Sequence, residues 1–90
     1  MTRIYKYELP ILDRFTLPMP RGAKPLYVGE QGEVLHLWAL VDPEAPREPW
    51  EFCVSGTGHE WPPGFVYLGT VQMAYGLVWH VGHERRKVYR

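Results

Sequence analysis

The residues best equipped for chemistry lie together in "SGTGHEWPPG", Ser55 to Gly64, where two hydroxyls, an imidazole, a carboxylate and an indole sit among glycines and prolines. Glycine lets backbone N–H groups converge on an anion, and the hydroxyls of Ser55 and Thr57 with a protonated His59 would complete such a nest. Trp61 adds a flat apolar surface and one N–H donor. Ser55, Thr57, His59 and Trp61 are therefore the expected ligand-binding residues, and a small anionic ligand is the expected class. The pattern G-x-x-x-x-G-K-[ST] is absent and the segment joins no strand to a helix, so neither a P-loop nor a dinucleotide fingerprint applies. The same residues also suit a structural corner. In that case Gly56 and Gly58 take positive φ, Pro62 and Pro63 stiffen the exit, and Trp61 covers the end of the core.

Other reactive side chains give no catalytic constellation. Cys53 shares a strand face with Glu51 and Ser55, which leaves it reachable, but a neighbouring carboxylate raises a thiol pKa and works against a nucleophile. The four histidines, His36, His59, His80 and His83, raise the question of a metal, because neutral imidazole is a common ligand. His80 and His83 would share a face on a helix. This stretch reads as a strand, where their odd separation turns them to opposite faces unless a bulge intervenes at Gly82. A meeting of His36 with His80 across strands is the other route to a metal site. No H-x-T or H-x-S pair follows the first three histidines, as a two-histidine phosphoesterase would need. No catalytic residue, no metal ligand and no cofactor is assigned, and the protein is read as not an enzyme.

What must position these groups is a set of short strands. Nine prolines and nine glycines interrupt the chain too often for long helices. "IYKYEL", Ile4 to Leu9, alternates with Tyr5, Tyr7 and Leu9 on one side and Ile4, Lys6 and Glu8 on the other. "RFTLPMP" predicts a short edge strand, because Pro18 and Pro20 cannot donate to a ladder. Leu26 to Val28, a turn through Gly29 to Gly32 and then Val34 to Val41 predict a hairpin. Its second strand is apolar on both faces and so should be central. Asp42 to Pro49 reads as a proline-rich loop, Trp50 to Ser55 as a strand, and Phe65 to Ala74 with Gly76 to Val81 as a closing pair whose connection, "MAYG", fits no two-residue turn. The expected fold is all-β, a small single-domain barrel or sandwich of five to seven short antiparallel strands over residues 1–84, followed by a flexible basic tail, residues 85–90.

Composition narrows the partners. Four Trp, six Tyr and three Phe are many for the core of a 90-residue chain, and place some aromatics at a contact surface. Net charge is zero, which disfavours nucleic acid held by counterion release. Tyr5, Tyr7, Tyr27 and Tyr67 would be the stacking platform if nucleic acid were bound. Along the chain the charge is uneven, with basic ends around an acidic stretch from Glu30 to Glu60, a distribution able to orient a partner or a second copy. One cysteine excludes an intrachain disulfide and fits a reducing cytosol. No run approaches the ~20 apolar residues of a membrane helix, so no membrane association is expected.

The segments "IYKYEL", "LPMPRGAKPLYVGEQ", "LHLWALVDPEAP", "GTGH" and "YLGTVQ...GLVWHV", in this order, resemble a family of short uncharacterised proteins of bacteriophages, prophages and some actinobacterial genomes. "LWALVDP" and "GTGH" are the most distinctive. The resemblance runs from about residue 3 to residue 83 and carries over no catalytic residue. It implies a mobile-element setting and a cytoplasmic location in the bacterial host. The leading expectation is a non-enzymatic accessory protein that binds a host factor, with inhibition of a bacterial defence system as the effect. Tyr5, Tyr7, Arg85 and Arg86 are its expected partner-binding residues. The alternatives are a homo-oligomer that sequesters a small anionic ligand such as a signalling nucleotide, and a small metal-dependent hydrolase.

Overall fold

The alternation in each short run becomes a two-layer arrangement once the strands pair. The computed structural model describes residues 1–84, and the expected tail with Arg85 and Arg86 lies outside the described residues. Seven strands are formed: β1 (Arg3–Glu8), β2 (Arg14–Pro20), β3 (Lys24–Gln31), β4 (Val34–Val41), β5 (Arg47–Gly56), β6 (Phe65–Gln72) and β7 (Val78–Glu84). All pair antiparallel, in a three-stranded sheet of order β1-β4-β3 and a four-stranded sheet of order β2-β5-β7-β6. The two sheets do not close on each other, so of the two expected all-β architectures the chain adopts the sandwich. Among the described residues the one helical element is a short 3-10 turn, Ala74–Gly76. No helix there is long and apolar enough to cross a membrane.

Period-two alternation decides which face each strand buries. On β4, Leu35, Leu37, Ala39 and Val41 enter the core; on β5, Trp50, Phe52 and Val54 do; β7 adds Val81 and β6 adds Val71. Each fully buried large apolar side chain contributes about 1.5–3 kcal/mol relative to exposure. The expected central strand, β4, lies between β1 and β3, and the expected edge strand, β2, borders the four-stranded sheet. Gly69 lets the sheets approach where β6 faces β3. A Cβ there would stand 2.8 Å from Val28 Cγ2.

Several boundaries differ from the sequence reading: β3 begins at Lys24, two residues before Leu26, and β7 runs Val78–Glu84 instead of Gly76 to Val81. The β3–β4 turn is formed by Gly32 and Glu33, with φ of 60° and 65°, not by Gly29 to Gly32. Both central residues of such a mirror-image turn need positive φ, and glutamate gives no hint of it. The expected Asp42–Pro49 loop is shorter, since β5 begins at Arg47 and pairs Pro49 opposite Pro18. Alternate pairs of an antiparallel ladder exchange no hydrogen bonds, which is where two facing prolines fit. β6 ends at Gln72, two residues before the expected Ala74. A bulge does interrupt the β6–β7 pair, but on β6 between Tyr67 and Gly69 instead of at Gly82.

Candidate functional site

The Ser55–Gly64 segment leaves the end of β5 and folds back over the outer face of the four-stranded sheet. Several contacts hold it there. Thr57 Oγ1 lies 2.9 Å from His80 Nε2, and His80 Nδ1 lies 2.9 Å from Thr70 Oγ1, which in turn is hydrogen-bonded to the Tyr67 hydroxyl. His80 thereby satisfies both ring nitrogens and ties the loop to β6 and β7. The His59 N–H donates to the Gly56 carbonyl at 3.1 Å, while Gly58 and Gly64 take φ of 89° and 87°. The Trp61 Nε1–H donates to the Phe65 carbonyl at 3.1 Å, and its ring lies 5.7 Å from that of Tyr67. Beneath that ring is Gly82. A Cβ on Gly82 would stand 2.5 Å from Trp61 Cζ2 and 2.9 Å from the Val66 carbonyl oxygen.

This arrangement divides the four expected ligand residues. Ser55 and His59 line a cleft of 380 Å³, together with Asp13, Arg14, Glu60 and two prolines. Thr57 and Trp61 do not line it and are engaged in holding the loop. Trp61 covers the outer face of the sheet, not the end of the core. Arg14 enters through the register of β2 on β5, where it lies opposite Cys53, and its guanidinium sits 5.1 Å from the centroid of the Phe65 ring. Sequence reasoning missed Arg14 and Asp13, which lie some forty residues from the loop and carry no local signal.

Cys53 is corrected from reachable to fully buried, at 0% exposure. Its neighbours on the ladders are Arg14 and Gly82, and the loop lies over the latter. Burial pushes its thiol up from the ordinary value, with the Gly82 backbone hydrogen bond and Arg14 working in the opposite direction. Such a thiol stays protonated and unreactive at neutral pH. The histidines separate as well. His36 belongs to the three-stranded sheet, its ring N–H donating to the Val34 carbonyl at 3.0 Å, and so does not face His80. His83 turns toward Trp50, with ring centroids 5.5 Å apart, on the face of β7 opposite His80. Among the described residues no group of three or more His, Cys, Asp or Glu is placed to hold a metal ion.

The outer face of the three-stranded sheet is built differently. Trp38 and Leu40 of β4, Ile4 of β1 and Tyr27 of β3 share it by register; Ile4 and Tyr27 are exposed, Trp38 and Leu40 half-buried, and His36 on the same face is buried. The Tyr27 and Trp38 rings are 6.0 Å apart, and His36 packs 5.8 Å from Trp38 on the other side. Tyr27 remains 67% exposed. Its ring lies over Gly29 of its own strand, where a Cβ would stand 2.7 Å from Tyr27 Cε2. The two tyrosines expected at a partner surface point the other way. Tyr7 is half-buried against the core, and Tyr5 is 38% exposed along the same side of β1. Burial pushes the Tyr7 hydroxyl up, with Arg47 lowering it and Tyr5 raising it.

Fold and site together define a small antiparallel β-sandwich with one outer face covered by its own loop, the other leaving Ile4 and Tyr27 exposed, and a polar cleft beside the covered one. The chain belongs to the family described as a domain of unknown function, DUF7352, whose family model covers residues 1–89. No curated protein and no solved structure matches it.

Proposed function

We propose that this chain is a non-enzymatic binding protein of phage or prophage type that docks a host protein on the outer face of its three-stranded sheet. One observation carries this reading: Trp38, Tyr27, Ile4 and Leu40 share one outer face by register, with Ile4 and Tyr27 exposed and Trp38 and Leu40 half-buried beside them. Central tryptophan and tyrosine anchors dominate protein interfaces because they bury large area at small conformational cost. A nucleic-acid partner fits less well. Among the described strand residues the bases on that face by register are only Lys6 and Lys24, set against Glu8, and Lys6 Nζ already donates to Gln31 Oε1 at 2.6 Å. The resemblance to phage and prophage proteins supports a bacterial host cytoplasm as the setting and a defence component as the class of target. Capture from a bacterial host lysate tests the reading: wild type should retain a protein that Trp38→Ala loses and His59→Ala keeps. Equal capture by wild type and Trp38→Ala would remove this face from consideration.

The cleft favours a second reading, a small anionic ligand held by Arg14, Ser55 and His59, with sequestration between copies of the chain as its use. Asp13 and Glu60 on the same walls weigh against a highly charged anion. Thermal-shift titration with cyclic and linear nucleotides tests it, because a ligand at 100 times its dissociation constant adds about 2.7 kcal/mol. Arg14→Ala should abolish any shift.

A further inference from the structure

At the end of the sandwich where β3 turns into β4 and β6 turns toward β7, two hairpin tips lie side by side around a pocket of 250 Å³. Each tip carries a non-glycine residue in the left-handed region. Glu33 has φ 65°, and Tyr75 has φ 63° and ψ 27° and is followed by Gly76 at φ 75°. The Leu77 N–H donates to the Ala74 carbonyl at 3.4 Å, so Tyr75 and Gly76 are the central residues of a turn with mirror-image dihedrals. Asparagine or glycine suits the first central position of such a turn. Tyrosine there is strained, and its side chain recovers nothing from packing, being 96% exposed. Strain with no structural return points outward, to a contact the free protein does not make.

The lining of the pocket states what that contact is. Met73, Ala74 and Leu77 supply its apolar lining, Glu30, Glu33 and Gln72 its polar lining, and Tyr75 an aromatic ring; none of the lining residues is basic. The Glu30 carboxylate is partly engaged, accepting the Glu33 N–H at 2.6 Å, which orients it beside the pocket. An apolar lining, carboxylates and an aromatic ring together suit a side chain with an aliphatic stem and a planar cationic head. We propose that the pocket between the two hairpin tips receives an arginine side chain of the partner protein, with its stem on Met73 and Leu77, its guanidinium on the Glu33 carboxylate and its plane against Tyr75. The inference rests on the protein-docking reading above. It places the arginine site at the end of β4 that leads to Trp38, four residues beyond Val34 and so about 13 Å along the strand.

Titration of the isotopically labelled protein with N-acetyl-arginine methylamide, followed by amide chemical shifts, tests the site directly. Saturable shifts are expected at Glu33 and from Met73 to Leu77. Glu33→Gln, or replacement of the probe by its neutral citrulline isostere, should weaken binding at least fivefold. Tyr75→Gly should weaken it while raising the melting temperature by about 4 °C, since it relieves the turn. Equal shifts with citrulline, or no shifts at these amides, would overturn the proposal, as would a Tyr75→Gly variant that binds as well as wild type. Trp38→Ala should leave this titration unchanged, so loss of the arginine site and loss of partner docking are read separately.

Discussion

The two outer faces of the sandwich use the same device for opposite ends. On each, a strand glycine makes room for an aromatic ring: Gly82 beneath Trp61, and Gly29 beneath Tyr27. Trp61 arrives on a loop, donates its N–H to the chain it covers and seals the outer face above Cys53 and Gly82. Tyr27 stays on its own strand and remains exposed beside Trp38. A covered face stabilises the fold, because its apolar area is already removed from water. An open face holds its apolar area in reserve for another molecule. Here one outer face carries its own loop, and the other leaves Ile4 and Tyr27 exposed.

The largest effect should come from breaking the covered face. Gly82→Ala places a Cβ against Trp61 and the Val66 carbonyl and should cost about 2–3 kcal/mol, measured by denaturant unfolding. Cys53 should become labelled by a thiol reagent in the same variant. A Gly82→Ala protein as stable as wild type, with Cys53 still protected, would show that the loop is not the seal. Thr57→Val should cost about 1 kcal/mol by removing one of the two partners of His80. On the open face the balance reverses, and Trp38→Ala should cost less stability than Trp61→Ala while eliminating partner capture. If Trp38→Ala proves the more destabilising of the two, the contrast between the faces is wrong.

The smallest effect is alkaline. Cys53 and Tyr7 both have their folded-state pKa raised by burial, so folding favours their neutral forms. That contribution is fully present below the unfolded values, about 8.5 for cysteine and 10 for tyrosine, and is lost as pH climbs through the higher folded values. Melting temperature should therefore be level from pH 7 to 8 and decline above about pH 9, with a shallower decline in Cys53→Ala. A melting temperature that rises in this range would contradict the burial of both groups.

Much of the fold was legible because its cause is local. Alternation in "IYKYEL" and "WEFCVS" assigned core and outer sides, and the two-sided apolar run of Val34 to Val41 marked the central strand. The prolines of "RFTLPMP" marked an edge. Turns were less legible, since Glu33 and Tyr75 hold positive φ without any residue type that announces it. The candidate site was legible only in part. Ser55 and His59 reach the cleft, but Thr57 is taken up by His80 and Trp61 by Gly82, partners more than twenty residues away.

By itself, the sequence determined the all-β class, the run of short strands and the side chains each strand would bury, because a period of two and the missing N–H of proline act within a few residues. Tertiary structure alone decided which sheet each strand joined, that Arg14 would meet the Ser55–His59 loop, and that Trp61 would cover one outer face while Tyr27 stayed exposed beside Trp38 on the other. Those outcomes depend on pairing register and on rings settling over distant glycines, and neither is encoded in the spacing of neighbouring residues.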